Sequence, residues 1–150
     1  MANKKIDSRS VAHWAKRCYL AGRAMMDDTL RPYGIGATQW YILHQLARVG
    51  PTMQRDLVES LQIERSTVSI IVANLVRKGL VEQRSDAIDQ RQKMLHLTAA
   101  GATLWNKLPD LTFIRDIAFN GFSNADIETT VRVLKTATEQ LQQRSKGNKS

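Results

Sequence analysis

The sequence predicts a mainly α-helical subunit with one small β-hairpin late in the chain. Three observations lead there. Apolar residues recur at helical spacing through most of the 150 residues. Helix-stopping residues (Pro32, Gly34, Gly36, Gly50, Pro51 and Gly79) fall between those periodic stretches. Two short segments, residues 80–84 and 93–97, flank a polar turn in the manner of paired strands. The hydrophobic share of 43% and charged share of 24% suit a globular protein with a sizeable core.

Each element has its own signal. Val11, Trp14, Ala15, Cys18, Gly22, Met25 and Thr29 share one face of a first helix, which Pro32 and the glycines after it end. A second helix is expected from about 38 to 48, with Trp40, Leu43, His44 and Ala47 along one side. A short third helix is expected over about 52–60. Val68, Ile71, Val72, Leu75 and Val76 form the clearest helical stripe in the chain, closed by Lys78 and Gly79, a cationic last turn before a helix-stopping residue. Thr98 is placed to cap a further helix, expected to continue past Pro109 to about Asn120 with a kink where the proline lacks its N–H. Ser123 with Asp126 resembles a capping box and opens a last helix carrying Ile127, Val131, Leu134 and Leu141. From Gln142 onward the chain reads as a frayed polar end.

Charge narrows the class of partner. Lys and Arg exceed Asp and Glu by a net +8, spread along the chain, a balance that suits a polyanion such as nucleic acid. The single cysteine, Cys18, allows no intramolecular disulfide and fits a reducing compartment. No apolar run approaches the roughly 18 residues of a membrane span, and the polar start MANKKIDSRS lacks a signal-peptide core, so a cytoplasmic protein with no membrane partner is expected.

Residues 61–65 join two short helices as a helix-turn-helix, with Leu61 and Ile63 as anchors into the core. With its apolar stripe inward, the second of these helices turns Arg65, Ser66, Ser69, Ile70, Ala73, Asn74 and Arg77 outward. Hydroxyl, amide and cationic groups on such a face can bond phosphates and base edges, and Ile70 can meet a thymine methyl. The competing reading is an ordinary solvated helix face. The hairpin tip places Arg91 and Lys93 beyond the helix, where a wing enters a minor groove, and Asp89 reads as the group that holds Arg91. A solvated charged turn is the alternative there.

These segments, in this order and spacing, resemble the MarR family of transcriptional regulators. The resemblance is carried by Gln39-Trp40-Tyr41-Ile42-Leu43, by Leu57 and Leu61, and by Ser66-Thr67-Val68-Ser69. It continues through Leu75-Val76-Arg77-Lys78-Gly79-Leu80-Val81, Asp89-Gln90-Arg91 and Leu95-His96-Leu97-Thr98-Ala99-Ala100-Gly101. It implies a winged helix-turn-helix subunit over 1–150, with a DNA-binding lobe over about 38–97. Dimerisation helices over about 8–33 and 98–145 would build an obligate-type homodimer. It also implies a pseudo-palindromic double-stranded DNA operator, regulation that is most often repression, and release by a small effector. The DNA-contact candidates are Arg65, Ser66, Thr67, Ser69, Ile70, Asn74, Arg77, Arg84, Arg91 and Lys93. Ile70 stands where many members carry a basic residue, Gln90 replaces the first of two wing arginines, and Gly36 replaces the usual Ser or Thr cap of the second helix.

In this family the effector, often a phenolic or aromatic acid, commonly lies between the dimerisation helices and the DNA-binding lobe. The corresponding residues are His13, Trp14, Arg17, Cys18, Trp40, Tyr41 and His44. Arg17 or His13 can pair with a carboxylate and the tryptophans can pack on a ring. The alternative for each is an ordinary core position. A CoA thioester would also use the basic surface. Cys18 reads most simply as a small buried residue, with a redox-sensing regulator as an alternative; a small-molecule-binding protein that does not use DNA is another. His96 is expected to face solvent. His13, His44 and His96 do not stand at zinc-ligand spacing, no glycine-rich phosphate loop occurs, and no serine motif resembles a nucleophile elbow. No catalytic residue, metal site or cofactor is therefore expected, with a metal site built from scattered histidines and carboxylates as the alternative.

Overall fold

A computed structural model describes residues 9–148. The polar start noted above falls partly outside them, as do the last two residues. The chain divides into two compact units, Met1–Ile114 and Arg115–Ser150.

In the first unit, α1 (Arg9–Leu30) leads through a 3-10 turn (Arg31–Tyr33) into α2 (Ala37–Val49). Strand β1 (Thr52–Met53), helices α3 (Gln54–Leu61) and α4 (Arg65–Arg77), and strands β2 (Val81–Ser85) and β3 (Lys93–Leu97) follow. Helix α5 (Ala99–Lys107) comes next, and α6 (Thr112–Ala118) begins before the division. The sheet is antiparallel in the order β1-β3-β2, with Gln83 opposite Leu95 and Thr52 on the other side of the same residue. The core gathers Leu30, Ile42, Leu43, Leu57, Val68, Val72, Leu75, Val81 and Leu95, so one apolar cluster takes residues from α1 through β3.

Three local devices set the geometry of this unit. Gly36 offers no capping side chain to α2, and Asp27 of α1 replaces one, its Oδ1 accepting the Ala37 N–H at 2.7 Å. At the helix-turn-helix corner Gln62 adopts φ 54°, a left-handed conformation usually left to glycine, and its amide donates to the Glu59 carbonyl at 2.7 Å. Helix α4 ends as its sequence indicates. Gly79 takes φ 74°, its N–H bonds the Val76 carbonyl at 2.9 Å, and the Leu80 N–H bonds the Leu75 carbonyl at 3.0 Å.

The second unit contains the end of α6 and α7 (Asn124–Gly147). Ser123 caps α7 by accepting the Asp126 N–H at 3.1 Å. Apart from half-buried Ile127, the described residues of this unit are exposed, Val131, Leu134 and Leu141 among them.

Three expectations are corrected. Thr52 and Met53 are a strand and not the start of a helix, because their backbones pair with Leu95 and Met94. The helix after Thr98 does not run through Pro109. Leu108 is extended (ψ 144°), as the residue before a proline prefers, and Asp110 Oδ1 accepts the Thr112 N–H at 2.9 Å where a new helix begins. The stretch from Gln142 to Gly147 is not frayed but continues α7.

Candidate nucleic-acid interface

The anchors of the helix-turn-helix pack as their apolarity requires. Leu61 and Ile63 lie against the core, and Val68, Val72 and Leu75 are buried beneath α4. The opposite side of that helix is open: Arg65, Ser66, Thr67, Ser69, Ile70, Ala73 and Arg77 are exposed, Ile70 at 64%. Asn74 is half-buried and its Oδ1 accepts a hydrogen bond from the Arg77 guanidinium. Near the end of α4, Lys78 donates to the Gly34 carbonyl and, at 3.1 Å, to Gln39 Oε1, which ties it to the entrance of α2.

The wing carries its cations differently. Arg84 is paired with Glu82 at 3.0 Å, and that bond followed by the guanidinium charge holds the Glu82 carboxyl below its usual range. Lys93 donates to Ser85 Oγ at 3.3 Å across the last rung of the hairpin. Arg91 has a side chain 93% exposed, with its guanidinium 3.5 Å from Asp89. Asp89 Oδ1 also accepts the Arg91 N–H at 3.1 Å, so the loop backbone and the arginine head are braced by one carboxylate. Asp86 supports the same loop by accepting the Asp89 N–H at 3.0 Å.

Two glutamines escaped the sequence reading. Gln54, at the start of α3, donates to Ser69 Oγ at 3.2 Å and accepts from Gln83 Nε2 at 2.7 Å, so β2, α3 and α4 are joined by side-chain amides. No periodicity marks an isolated glutamine. The only prior signal was that Gln54 precedes α4 by the length of one short helix and a turn.

The effector candidates form two groups. On α1, the His13 and Trp14 rings meet edge to face at 5.4 Å and Arg17 lies over Trp14 at 5.4 Å; Trp14 is 62% exposed, and Cys18 is exposed as well. The core reading of Trp14 and the buried reading of Cys18 are therefore corrected: no element of their own unit covers that face of α1 among the described residues. On α2, Trp40 stacks on His44 at 4.9 Å, and both rings meet Trp105 of α5, at 5.5 and 5.7 Å. Tyr41 abuts Trp40 edge to face, and its hydroxyl donates to Met26 Sδ at 3.6 Å. Burial, and then the Arg48 charge, push the His44 pKa down. No hydrogen bond, ion pair or ring contact joins the α1 group to the α2 group among the described residues. Trp105 was missed because it falls on no conspicuous stripe. His96 is half-buried, not solvent-facing, since β3 is the middle strand of the sheet. Among the described residues no cluster of His, Cys, Asp and Glu could hold a metal, and no helix is long and apolar enough to cross a membrane.

Known proteins are similar to this chain in sequence and in fold. Residues 33–92 match the model of the MarR family. Over 72 residues the chain is 32% identical to the uncharacterized HTH-type transcriptional regulator YwoH of Bacillus subtilis, a match that covers 48% of this chain and 52% of YwoH, so it spans about half of that relative's length. The S. aureus MepR–DNA complex superposes with a TM-score of 0.78 and 24% identity, covering 87% of this chain and 96% of MepR. BpsR of Bordetella bronchiseptica, whose DNA binding is regulated by 6-hydroxynicotinic acid, gives a TM-score of 0.74 and 24% identity over 86% of this chain and 98% of BpsR. Residues 33–92 thus resemble the MarR family, within a chain whose fold is similar to the winged-helix fold of these structures.

Proposed function

We propose that the chain is a DNA-binding transcriptional regulator that acts as a homodimeric repressor on a pseudo-palindromic operator in the cytoplasm. A small aromatic or phenolic acid, or its CoA thioester, releases it. One observation carries the reading: an uncovered face of hydroxyl and cationic side chains on α4 stands in the same unit as a wing whose Arg91, braced by Asp89, has an exposed side chain. Arg65, Arg77 and the wing supply phosphate and minor-groove contacts, while Ser66, Thr67, Ser69 and Ile70 face base edges. Two such helices must lie about 34–36 Å apart to enter successive major grooves. The exposed apolar residues of α1 (Val11, Trp14, Leu20) and, separately, of α7 (Val131, Leu134, Leu141) are the surfaces that a second subunit would cover. The Trp40–His44–Trp105 cluster offers ring faces to an aromatic effector, in keeping with the aromatic acid that acts on BpsR. None of these roles requires catalysis.

The test is electrophoretic and salt-dependent. The purified chain should retard a fragment of its own upstream region, with log K falling linearly in log salt at about −0.9 per phosphate contacted. The retardation should be reversed by an aromatic acid found in a thermal-shift screen. Failure to retard any duplex, or a response flat in salt, removes the reading.

A further inference from the structure

The bonds of Gln54 have a direction that can be worked out from one end. A backbone carbonyl only accepts, so the Arg65 carbonyl receives the Ser69 hydroxyl proton across their 3.1 Å separation. Ser69 has no second proton, and its contact with Gln54 at 3.2 Å must therefore be one in which Gln54 Nε2 donates. That leaves Gln54 Oε1 inward as the acceptor of Gln83 Nε2 at 2.7 Å. Protons thus point one way along the series, from Gln83 on β2 through Gln54 on α3 to Ser69 on α4. Ser69 is exposed on the outer face of α4, with its hydrogen already directed to the helix and one of its two lone pairs occupied.

We propose that Gln54 is a positioning residue: with the Arg65 carbonyl taking the Ser69 proton, the Gln54 amide locks the hydroxyl in that orientation as an acceptor-only group, so that its remaining lone pair reads an amino hydrogen of adenine N6 or cytosine N4 in the major groove. Phosphate oxygens, guanine O6 and thymine O4 are acceptors and cannot pair with it. The inference rests on the DNA-binding reading above and gives one residue of that face a defined chemical preference. Because Gln83 belongs to the wing strand, the preference also depends on the wing root: loss of the Gln83 amide frees Gln54 to turn, and with it the Ser69 hydroxyl.

The experiment enriches duplexes from a random-sequence pool with the purified 150-residue chain. The best duplex is then resynthesised with single adenines replaced by purine, or single cytosines by pyrimidin-2-one, which lack only the amino group. At one position per half-site the wild-type affinity should fall about fivefold, the worth of one neutral hydrogen bond. At that position Ser69→Ala, Gln54→Ala and Gln83→Ala should be indifferent to the replacement. Their thermal midpoints should stay within about 4 °C of wild type, as expected for polar changes at exposed Ser69 and Gln83 and at half-buried Gln54. Three results overturn the inference: no amino deletion costs the wild type anything, Ser69→Ala still feels the deletion, or Ser69→Ala weakens all duplexes alike, as loss of a phosphate contact would. Retention of the full effect in Gln54→Ala overturns the positioning role of Gln54. Should that variant fail to fold, Gln83→Ala tests the same series from its other end. A wild-type chain that enriches no duplex instead removes the DNA-binding reading itself, and the inference with it.

Discussion

Replacing Gly101 with alanine tests the packing that holds the wing root to α5. Gly101 is buried in the first turn of α5. An added Cβ would press on the Leu80 carbonyl oxygen and lie 2.7 Å from Leu97 Cδ1 and 3.1 Å from the Leu80 carbonyl carbon. Carbon pairs settle at about 3.5–4.0 Å, so the methyl group would intrude on Leu97 by about 1 Å. Leu97 can rotate away. The Leu80 carbonyl cannot, since it accepts the Thr98 N–H at 3.1 Å, and Thr98 is itself pinned by donating to the Gly79 carbonyl at 2.6 Å and accepting the Gly101 N–H at 3.0 Å. Overpacking costs about 1–3 kcal/mol, and a clash with backbone belongs at or above the top of that range. Alanine recovers up to about 1 kcal/mol of helix propensity over glycine. The net loss is about 2 kcal/mol, a fall in thermal midpoint of about 4–8 °C for a chain of this length. Circular dichroism melts at one fixed protein concentration measure it, because association would shift the midpoint. A Gly101→Ala midpoint within about 2 °C of wild type would refute the argument. So would full rescue by Leu97→Ala, which would place the whole clash on the side chain.

Two further outcomes are expected. Arg91→Ala should weaken binding to a selected duplex at least tenfold, in line with about 1.5–3 kcal/mol for a charge-assisted contact, and leave the melt unchanged; fluorescence anisotropy showing equal affinity would remove the wing from the interface. His44 gives a pH dependence with a definite sign. Its folded pKa is lowered, so the unfolded chain takes up the proton first, and the stabilisation is whole above the ordinary value of 6.5 and is lost as pH falls from there through the folded pKa. Melts between about pH 7.5 and 5 should therefore show a steeper acid loss for wild type than for His44→Gln; parallel curves would count against the burial of that ring.

The elements most legible in the sequence are those whose pattern is long and local. The stripe from Val68 to Val76 gave the recognition helix, and Lys78-Gly79 gave its end, because both depend on contacts within a few turns. Strand β1 was illegible for the opposite reason: two residues carry no period, and what makes Thr52 and Met53 a strand is pairing with residues about forty positions later. The break between α5 and α6 was written in Pro109 and Asp110, a helix-disfavouring residue followed by a capping one, but the apolar pattern around it suggested continuity. At the interface, the outward residues of α4 followed from the buried ones by geometry. Gln54, Gln83 and Trp105 did not, since their roles arise from neighbours on other elements.

The hairpin has a stiff root and a projecting end. Pairing on both sides of β3 stops at its first residues, and beyond the rung that joins Ser85 to Lys93 the turn's own hydrogen bonds are the ones that remain among the described residues. Mechanically that is a cantilever. Half of a seven-residue turn reaches about 10 Å at about 3.3 Å per residue, more than the roughly 7.5 Å depth of a minor groove. On the DNA-binding reading proposed above, bending at the free end would follow grooves of different width while the load is taken by the sheet, without any tilt of α4.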